Sequence, residues 1–200
     1  MSRLAHHFAT MAYNNAWSNH RLLGTVSRLT EAEFVAPRTS FFPSLKATLN
    51  HNVTVDWYYV DALERGLRDQ PVNADALRFF EPEEPFATCA PLSAAQRAVD
   101  RRLVGVCVAL TDRVLDLPIG ILRSVGLQHE TVTRLLAHLF QHQIHHRGQA
   151  HAMLASTTVK PPQLDEFFCA NEAELRAAEL GELGYTEAMI WGTQRPARPT

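Results

Sequence analysis

Apolar residues recur at intervals of three and four along four long stretches of this chain, and no run of residues alternates between apolar and polar. This spacing places the apolar side chains on one face of a helix. We therefore expect long helices over residues 2–29, 44–66, 93–110 and 131–154. Four long helices without convincing strands predict an all-α protein, an antiparallel four-helix bundle in which the apolar faces meet.

Residues that favour helix starts stand at the beginning of each stretch. Ser and Thr accept hydrogen bonds from the first free backbone N–H groups of a helix, and the expected caps are Ser2, Ser44, Ser93 and Thr131. Thr30 and Glu33 have the spacing of a capping box, which predicts one further short helical turn that Pro37 ends.

The segments between these helices contain residues that interrupt regular structure. Residues 68–91 hold four prolines, and we expect a long connection with a short helical turn there. Residues 116–129 contain proline and glycine, and we expect a connection without strands.

A proline pair at 161–162 separates the last long helix from the rest of the chain. Residues 163–191 favour one or two short helices, and the last eight residues are expected to fray. We predict one domain, with a core over about residues 3–155 and a C-terminal extension over 156–200.

Composition excludes several classes of protein. The chain has 200 residues, 46% of them hydrophobic and 20% charged, which is typical of one globular domain. A net charge of -2 gives no broad attraction to nucleic acid. Residues 1–10 lack the apolar core of a signal peptide, and no uncharged apolar stretch approaches the roughly 20 residues that span a bilayer. We therefore expect a cytoplasmic protein with no membrane partner. Three cysteines without CxxC spacing favour neither a disulfide framework nor a cysteine zinc site.

Four of the ten histidines lie within nine residues of the predicted fourth helix: His138, His142, His145 and His146. At about 100° per residue, His138, His142 and His146 share a stripe with apolar residues. Buried imidazoles need partners for their ring nitrogens. The stripe therefore predicts a metal site, a hydrogen-bonded core network or a pH-responsive patch.

Spacing alone identifies only some of the residues that would bind a metal ion. His142 and His146 lie four residues apart, so their side chains can converge on one ion. A third ligand must come from another helix, and His51 is the histidine of the predicted second helix. A lone buried histidine is more often an ordinary core residue, and spacing alone leaves the choice within the cluster open.

Four segments resemble the DinB/YfiT-like family of metal-dependent helix-bundle proteins. The segment at 138–149 resembles the signature of that family, and the segments at 13–19 and 49–57 resemble its first-helix and second-helix motifs. The segment at 161–168 is similar to the tail of a bacterial branch. The resemblance extends over nearly the whole chain.

This resemblance implies one divalent metal ion per chain, zinc or nickel, on His51, His142 and His146. It also implies a homodimer and, in some relatives, transfer or isomerisation reactions that use a low-molecular-weight thiol. The family name refers to DNA damage and implies no polymerase activity. We accordingly expect a metal-dependent enzyme that acts on a small molecule, a transferase or a hydrolase. A non-catalytic metal-binding or stress-response protein is the alternative, and a DNA-binding protein ranks third.

Other candidates have two interpretations each. Asp56 either orients a ligand histidine or caps a neighbouring helix, and Arg147 either binds a substrate carboxylate or forms a structural ion pair. His138 and His145 are candidates to lie around the ion without binding it. No residue is identified as catalytic. Three aromatic residues are expected in the core: Tyr13, Trp17 and Trp57.

Overall fold

The computed structural model describes residues 3–192, and most of them are helical. The four long helices are α1 (Arg3–Val26), α3 (Leu45–Leu67), α4 (Cys89–Val108) and α6 (Val132–Leu154). The shorter ones are α2 (Glu31–Val35), α5 (Asp112–Leu115), α7 (Ala173–Leu183) and α8 (Glu187–Trp191). Short 3-10 turns span Ala76–Phe80 and Ala170–Glu172, and two strands are β1 (Pro118–Arg123) and β2 (Gly126–Thr131). The predicted predominance of helix is confirmed.

The long helices pack against one another in pairs. Helix α1 contacts α4 and α6, and α3 contacts the same two helices. Their inner faces bury a continuous set of apolar side chains, to which α1 gives Trp17, α3 gives Val53, α4 gives Leu103 and α6 gives Leu139. The apolar periodicity of the sequence is thus the periodicity of the buried faces.

Most of the predicted helix starts are confirmed. The side chain of Ser44 accepts a hydrogen bond from the backbone N–H of Ala47, and Thr131 accepts one from Arg134. Thr30 and Glu33 form the reciprocal capping box of α2. The predicted cap at Ser2 and the predicted fraying of the last eight residues lie outside the described residues.

The predicted start of the third helix at Ser93 is wrong. Helix α4 begins at Cys89, after Thr88 in an extended conformation. Pro91 therefore lies in the first turn, where its missing N–H leaves no helical hydrogen bond unmade. The predicted end of the first long helix also differs from the structure. Helix α1 ends at Val26 rather than near Leu29.

The prediction that residues 116–129 contain no strands is also wrong. Strands β1 and β2 pair antiparallel, from Pro118 opposite Thr131 to Arg123 opposite Gly126. Gly126 has φ of 110°, a conformation that favours glycine at the end of a tight turn. The hairpin covers α3 with β1, whose side chains at Ile119 and Ile121 are buried.

The C-terminal extension packs on α1. The ring of Phe167 lies 5.6 Å from that of Trp17, and Arg21 binds the carboxylates of Glu166 and Glu179. Helices α7 and α8 are the short helices that residues 163–191 predict. None of the helices within residues 3–192 has both the length and the apolar character needed to cross a bilayer.

Candidate metal centre

Three histidines from two helices meet in one cluster. His51 lies in the second turn of α3, and His142 and His146 lie one turn apart on α6. The Nε2 atoms of His51 and His142 are 2.9 Å apart, and one ligand atom from each of the three rings lies within 4.8 Å of the others. Helices α3 and α6 pack directly on each other, so this convergence follows from the fold.

The orientation of His146 is fixed by a side chain on its own helix. Gln149 accepts a hydrogen bond from Nδ1 of His146 at 2.8 Å and donates one to Nε2 of His145 at 3.1 Å. Because Nδ1 then carries the proton, Nε2 of His146 keeps its lone pair. No sequence pattern assigns Gln149 a role, which only its contact with Nδ1 identifies.

The cluster holds its histidines in the neutral form. Burial lowers the pKa of His51 to about 4, with a further contribution from the charge of His146. The pKa of His142 is lowered to about 3 by burial and then by the charges of its neighbours, and that of His146 is lowered mainly by burial. Neutral imidazole is the form that binds a metal ion.

Aromatic residues and a cavity border the cluster. The ring of Phe42 lies 4.4 Å from that of His51 and 5.4 Å from that of His146. A cavity of about 320 Å³ opens beside His51. Its other lining residues are Phe42, Ala47, Thr54, Phe80, Glu83 and Glu84. His51, one of the three histidines, is thus accessible to a small molecule from this side.

A buried polar layer, which we define as the side chains of Asp56, Asp100, Arg147 and the amides that contact them, lies next to the cluster. Asp56 accepts hydrogen bonds from Gln96 and Gln143. The other contacts link Asp100 to Gln96, Asn15 and Asn19, and Arg147 to the same two asparagines. Each long helix contributes at least one member, so the layer connects all four.

Burial dominates the electrostatics of the polar layer. It raises the pKa of Asp56, with a further contribution from the charge of Asp100, and it also raises the pKa of Asp100. Burial lowers the pKa of Arg147, and the two carboxylates oppose that change. The guanidinium is the one positive charge among the members of the polar layer.

The other sequence candidates lie in different places around the cluster. The ring of His138 lies 6.2 Å from that of His142, and the ring of His145 lies 4.8 Å from that of His146. Both side chains are exposed. Asp56 accepts hydrogen bonds from the amides of Gln96 and Gln143 and, within residues 3–192, from none of the three clustered histidines.

Arg147 and the aromatic residues lie in or against the interior of the protein. Arg147 is 5% exposed and donates into the polar layer, away from the cavity beside His51. Tyr13 and Trp17 are buried in the core, as expected, and Trp57 is partly buried against it.

The sequence model of the DinB family matches residues 1–179. The chain belongs to the DinB family. This match contains all three clustered histidines and all the helices that make the polar layer, and it confirms the family that the sequence motifs resemble. Among curated proteins, the search finds no match.

The donor set of this DinB protein fits a divalent ion. It consists of three neutral imidazoles, which suit zinc and nickel better than magnesium or calcium. Within residues 3–192 the Nδ1 atom of His142 has no hydrogen-bond partner, and its Nε2 atom contacts Nε2 of His51, another member of the cluster. His51, His142 and His146 could therefore hold a metal ion together.

Proposed function

We propose that this DinB protein is a metal-dependent enzyme that acts on a small molecule, and specifically that it is a thiol S-transferase. One observation carries the proposal. Three histidine nitrogens that could hold one ion lie beside a cavity that His51 itself lines.

His51, His142 and His146 would hold the ion, and Gln149 would keep the Nε2 atom of His146 aimed at it. Three protein ligands leave an open position, which is typical of catalytic rather than structural zinc. A bound ion supplies a positive charge that stabilises a thiolate or an acidified water. Phe42 and Phe80 offer apolar surface to a substrate in the cavity, where they would also exclude water.

A non-catalytic metal-binding protein is the alternative. Such a protein would gain nothing from a cavity at the ligands, and a sealed site would serve it better. The opening beside His51 is the observation that favours the enzyme.

Three further parts of the proposal concern the arrangement of the helices, the identity of the ion and the oligomeric state. We assign the four long helices the antiparallel bundle arrangement, which their pairwise packing supports. We assign zinc or nickel as the ion, which the three-imidazole donor set supports. We assign a homodimer as the oligomeric state, supported by apolar side chains left exposed on the single chain.

The test begins with metal analysis of protein purified without an affinity tag or chelator, where we expect one divalent ion per chain. The loaded protein is then incubated with low-molecular-weight thiols and electrophilic acceptors, and thioether products are measured by mass spectrometry. We expect conjugation that requires the ion and disappears in His142→Ala. One ion per chain without conjugation of any thiol would favour the non-catalytic alternative, and absence of metal would overturn both.

A further inference from the structure

Arg123 carries a positive charge that no acidic side chain of residues 3–192 neutralises. It lies at the end of β1, partly buried, and its guanidinium donates to the Tyr59 hydroxyl at 2.7 Å. It also lies over the rings of Tyr58 and Tyr59, 5.6 and 5.5 Å from their centroids. A guanidinium has five N–H donors, and this contact uses one of them.

The carboxylates on the neighbouring elements have other partners. Glu130 of β2 pairs with Arg134, and Glu64 of α3 pairs with Arg102. Arg123 therefore has guanidinium N–H groups that could donate to an anion from outside the protein.

Arg123 is connected to the metal centre by two side chains. The ring of His138 lies 5.3 Å from that of Tyr59 and 6.2 Å from that of His142. The charge of Arg123 contributes, after burial, to a lowered pKa of His138, in keeping with their proximity. His138 is exposed and Tyr59 is buried, so solvent reaches this line of residues at His138.

We propose that Arg123, together with the Tyr59 hydroxyl, binds the carboxylate of a small-molecule substrate whose other end reaches the metal centre. The hydroxyl accepts from Arg123, which leaves its own hydrogen available to the same carboxylate. The substrate class is thus an organic acid with a metal-seeking group several bonds from its carboxylate. This inference rests on the proposed metal-dependent function.

The experiment uses cobalt(II)-loaded protein and two thiols of equal length, 6-mercaptohexanoate and 6-mercaptohexanol. Binding is measured from the thiolate-to-cobalt absorption band, which reports ligation without any turnover. We expect the carboxylate thiol to bind at least tenfold more tightly, because a charge-assisted hydrogen bond is among the strong ones. In Arg123→Met the two dissociation constants should agree within about twofold, with that of the alcohol unchanged.

Two further variants complete the series. Arg134→Met removes an exposed arginine that begins the next helix and should keep the preference. Tyr59→Phe keeps the charge of Arg123 and should lose about threefold for the carboxylate thiol alone. It also preserves the test if Arg123→Met does not fold, which a circular-dichroism melt would reveal. Equal binding of both thiols by the wild-type protein, or an unchanged preference in Arg123→Met and Tyr59→Phe, would overturn the proposal.

A second measurement separates failure of this site from failure of the metal centre. Metal-free protein is titrated with hexanoate and, as control, hexanol, and the Nε–H resonance of Arg123 is followed by ¹⁵N NMR. A shift with hexanoate alone supports the anion site even if no thiol perturbs the cobalt spectrum, in which case the metal-dependent function fails by itself. No shift, together with no preference between the thiols, overturns the anion site while the metal centre stands.

Discussion

His51, His142 and His146 differ from His138 and His145 in position, although four of the five lie on one helix. The first three turn ring nitrogens toward one another, whereas the other two are exposed beside them. We expect alanine at any of the first three positions to abolish tight binding of one ion per chain, because two imidazoles make a weak site. His138→Ala and His145→Ala should keep the metal. Metal content after dialysis checks this, and loss in His145→Ala with retention in His146→Ala would mean that a different pair binds.

The stability of the metal-free protein should depend on acidity through the same residues. The pKa of His51 is lowered from 6.5 to about 4 and that of His142 from 6.5 to about 3. The unfolded chain therefore binds these protons at a higher pH than the folded chain, and acidification favours unfolding. We expect the melting temperature to fall as the pH decreases from about 6.5 toward 4.

The matched variant is His51→Gln with His142→Gln, which should show a flatter profile over that interval. Both proteins keep the buried carboxylates of the polar layer, so the contribution of those groups is common to both. Thermal melts by circular dichroism in chelator provide the measurement. Parallel profiles for the two proteins would show that the histidines do not cause the dependence.

How much of the site could be predicted from the sequence depends on the range of the contacts. The i, i+4 spacing of His142 and His146 is a local pattern, and it predicts their proximity directly. The convergence of His51 with them rested on a family resemblance, because helix phase does not specify which helices pack together. No pattern in the sequence indicates a functional role for Arg123. Its position beside Tyr59 depends on a hairpin that the sequence did not predict.

At the scale of elements, two helical glycines have opposite surroundings. A Cβ at Gly66 of α3 would collide with the side chain of Ile119 on β1, whereas a Cβ at Gly105 of α4 would meet nothing within 4 Å. We expect Gly66→Ala to destabilise by about 1–3 kcal/mol through overpacking. Gly105→Ala should stabilise by about 0.5–1 kcal/mol, because alanine favours helix. Urea denaturation measures both.

Ile119→Val is the compensating change for Gly66→Ala, since it shortens the side chain that the new methyl group meets. The double variant should recover part of the lost stability. If Gly66→Ala proves as stable as the wild-type protein, the hairpin does not pack on α3 as closely as the structure has it.

The two errors of element prediction have local explanations. Strand β1 shows buried alternation at only two positions, Ile119 and Ile121, and β2 is largely exposed, so neither provides the pattern of a half-buried strand. Ser93 is a good helix cap and follows Pro91, but proline is tolerated in the first turn of a helix, so α4 begins earlier, at Cys89. The long helices were predictable because their periodicity extends over five or more turns.

At the scale of the whole molecule, the polar layer joins every long helix through groups that are costly to bury alone. Arg147→Met would leave Asp56 and Asp100 without their positive partner, and we expect a loss of about 3–5 kcal/mol at pH 8. The loss should be smaller at pH 5, because carboxyls whose pKa is raised by burial take up protons there. Denaturant unfolding at both pH values tests this.

Arg134→Met is the control for that variant. Its guanidinium pairs with Glu130 on the surface, so its removal should change the free energy of unfolding by no more than about 0.5 kcal/mol. An equal effect of Arg147→Met at pH 8 and pH 5 would mean that lost packing, rather than unbalanced charge, explains the destabilisation.

The surface of the single chain also predicts assembly. Phe41 is 78% exposed and Val125 is 80% exposed, and family resemblance implies a homodimer. We expect sedimentation equilibrium at micromolar concentration to give about twice the 22.4 kDa mass of one chain. A mass near 22.4 kDa at that concentration would contradict the dimer.

Hydrogen bonds in the polar layer also govern how the long helices slide along one another. Leucine and valine contacts tolerate a shift by one helical turn, about 5.4 Å, because another apolar residue follows. Amides and carboxylates do not tolerate it, since every donor would lose its acceptor in a buried region. Misaligned packings are therefore penalised strongly, and one axial alignment remains. In that alignment His51 lies opposite His142. The distances between the histidine rings are therefore set by residues of the polar layer, which do not belong to the cluster.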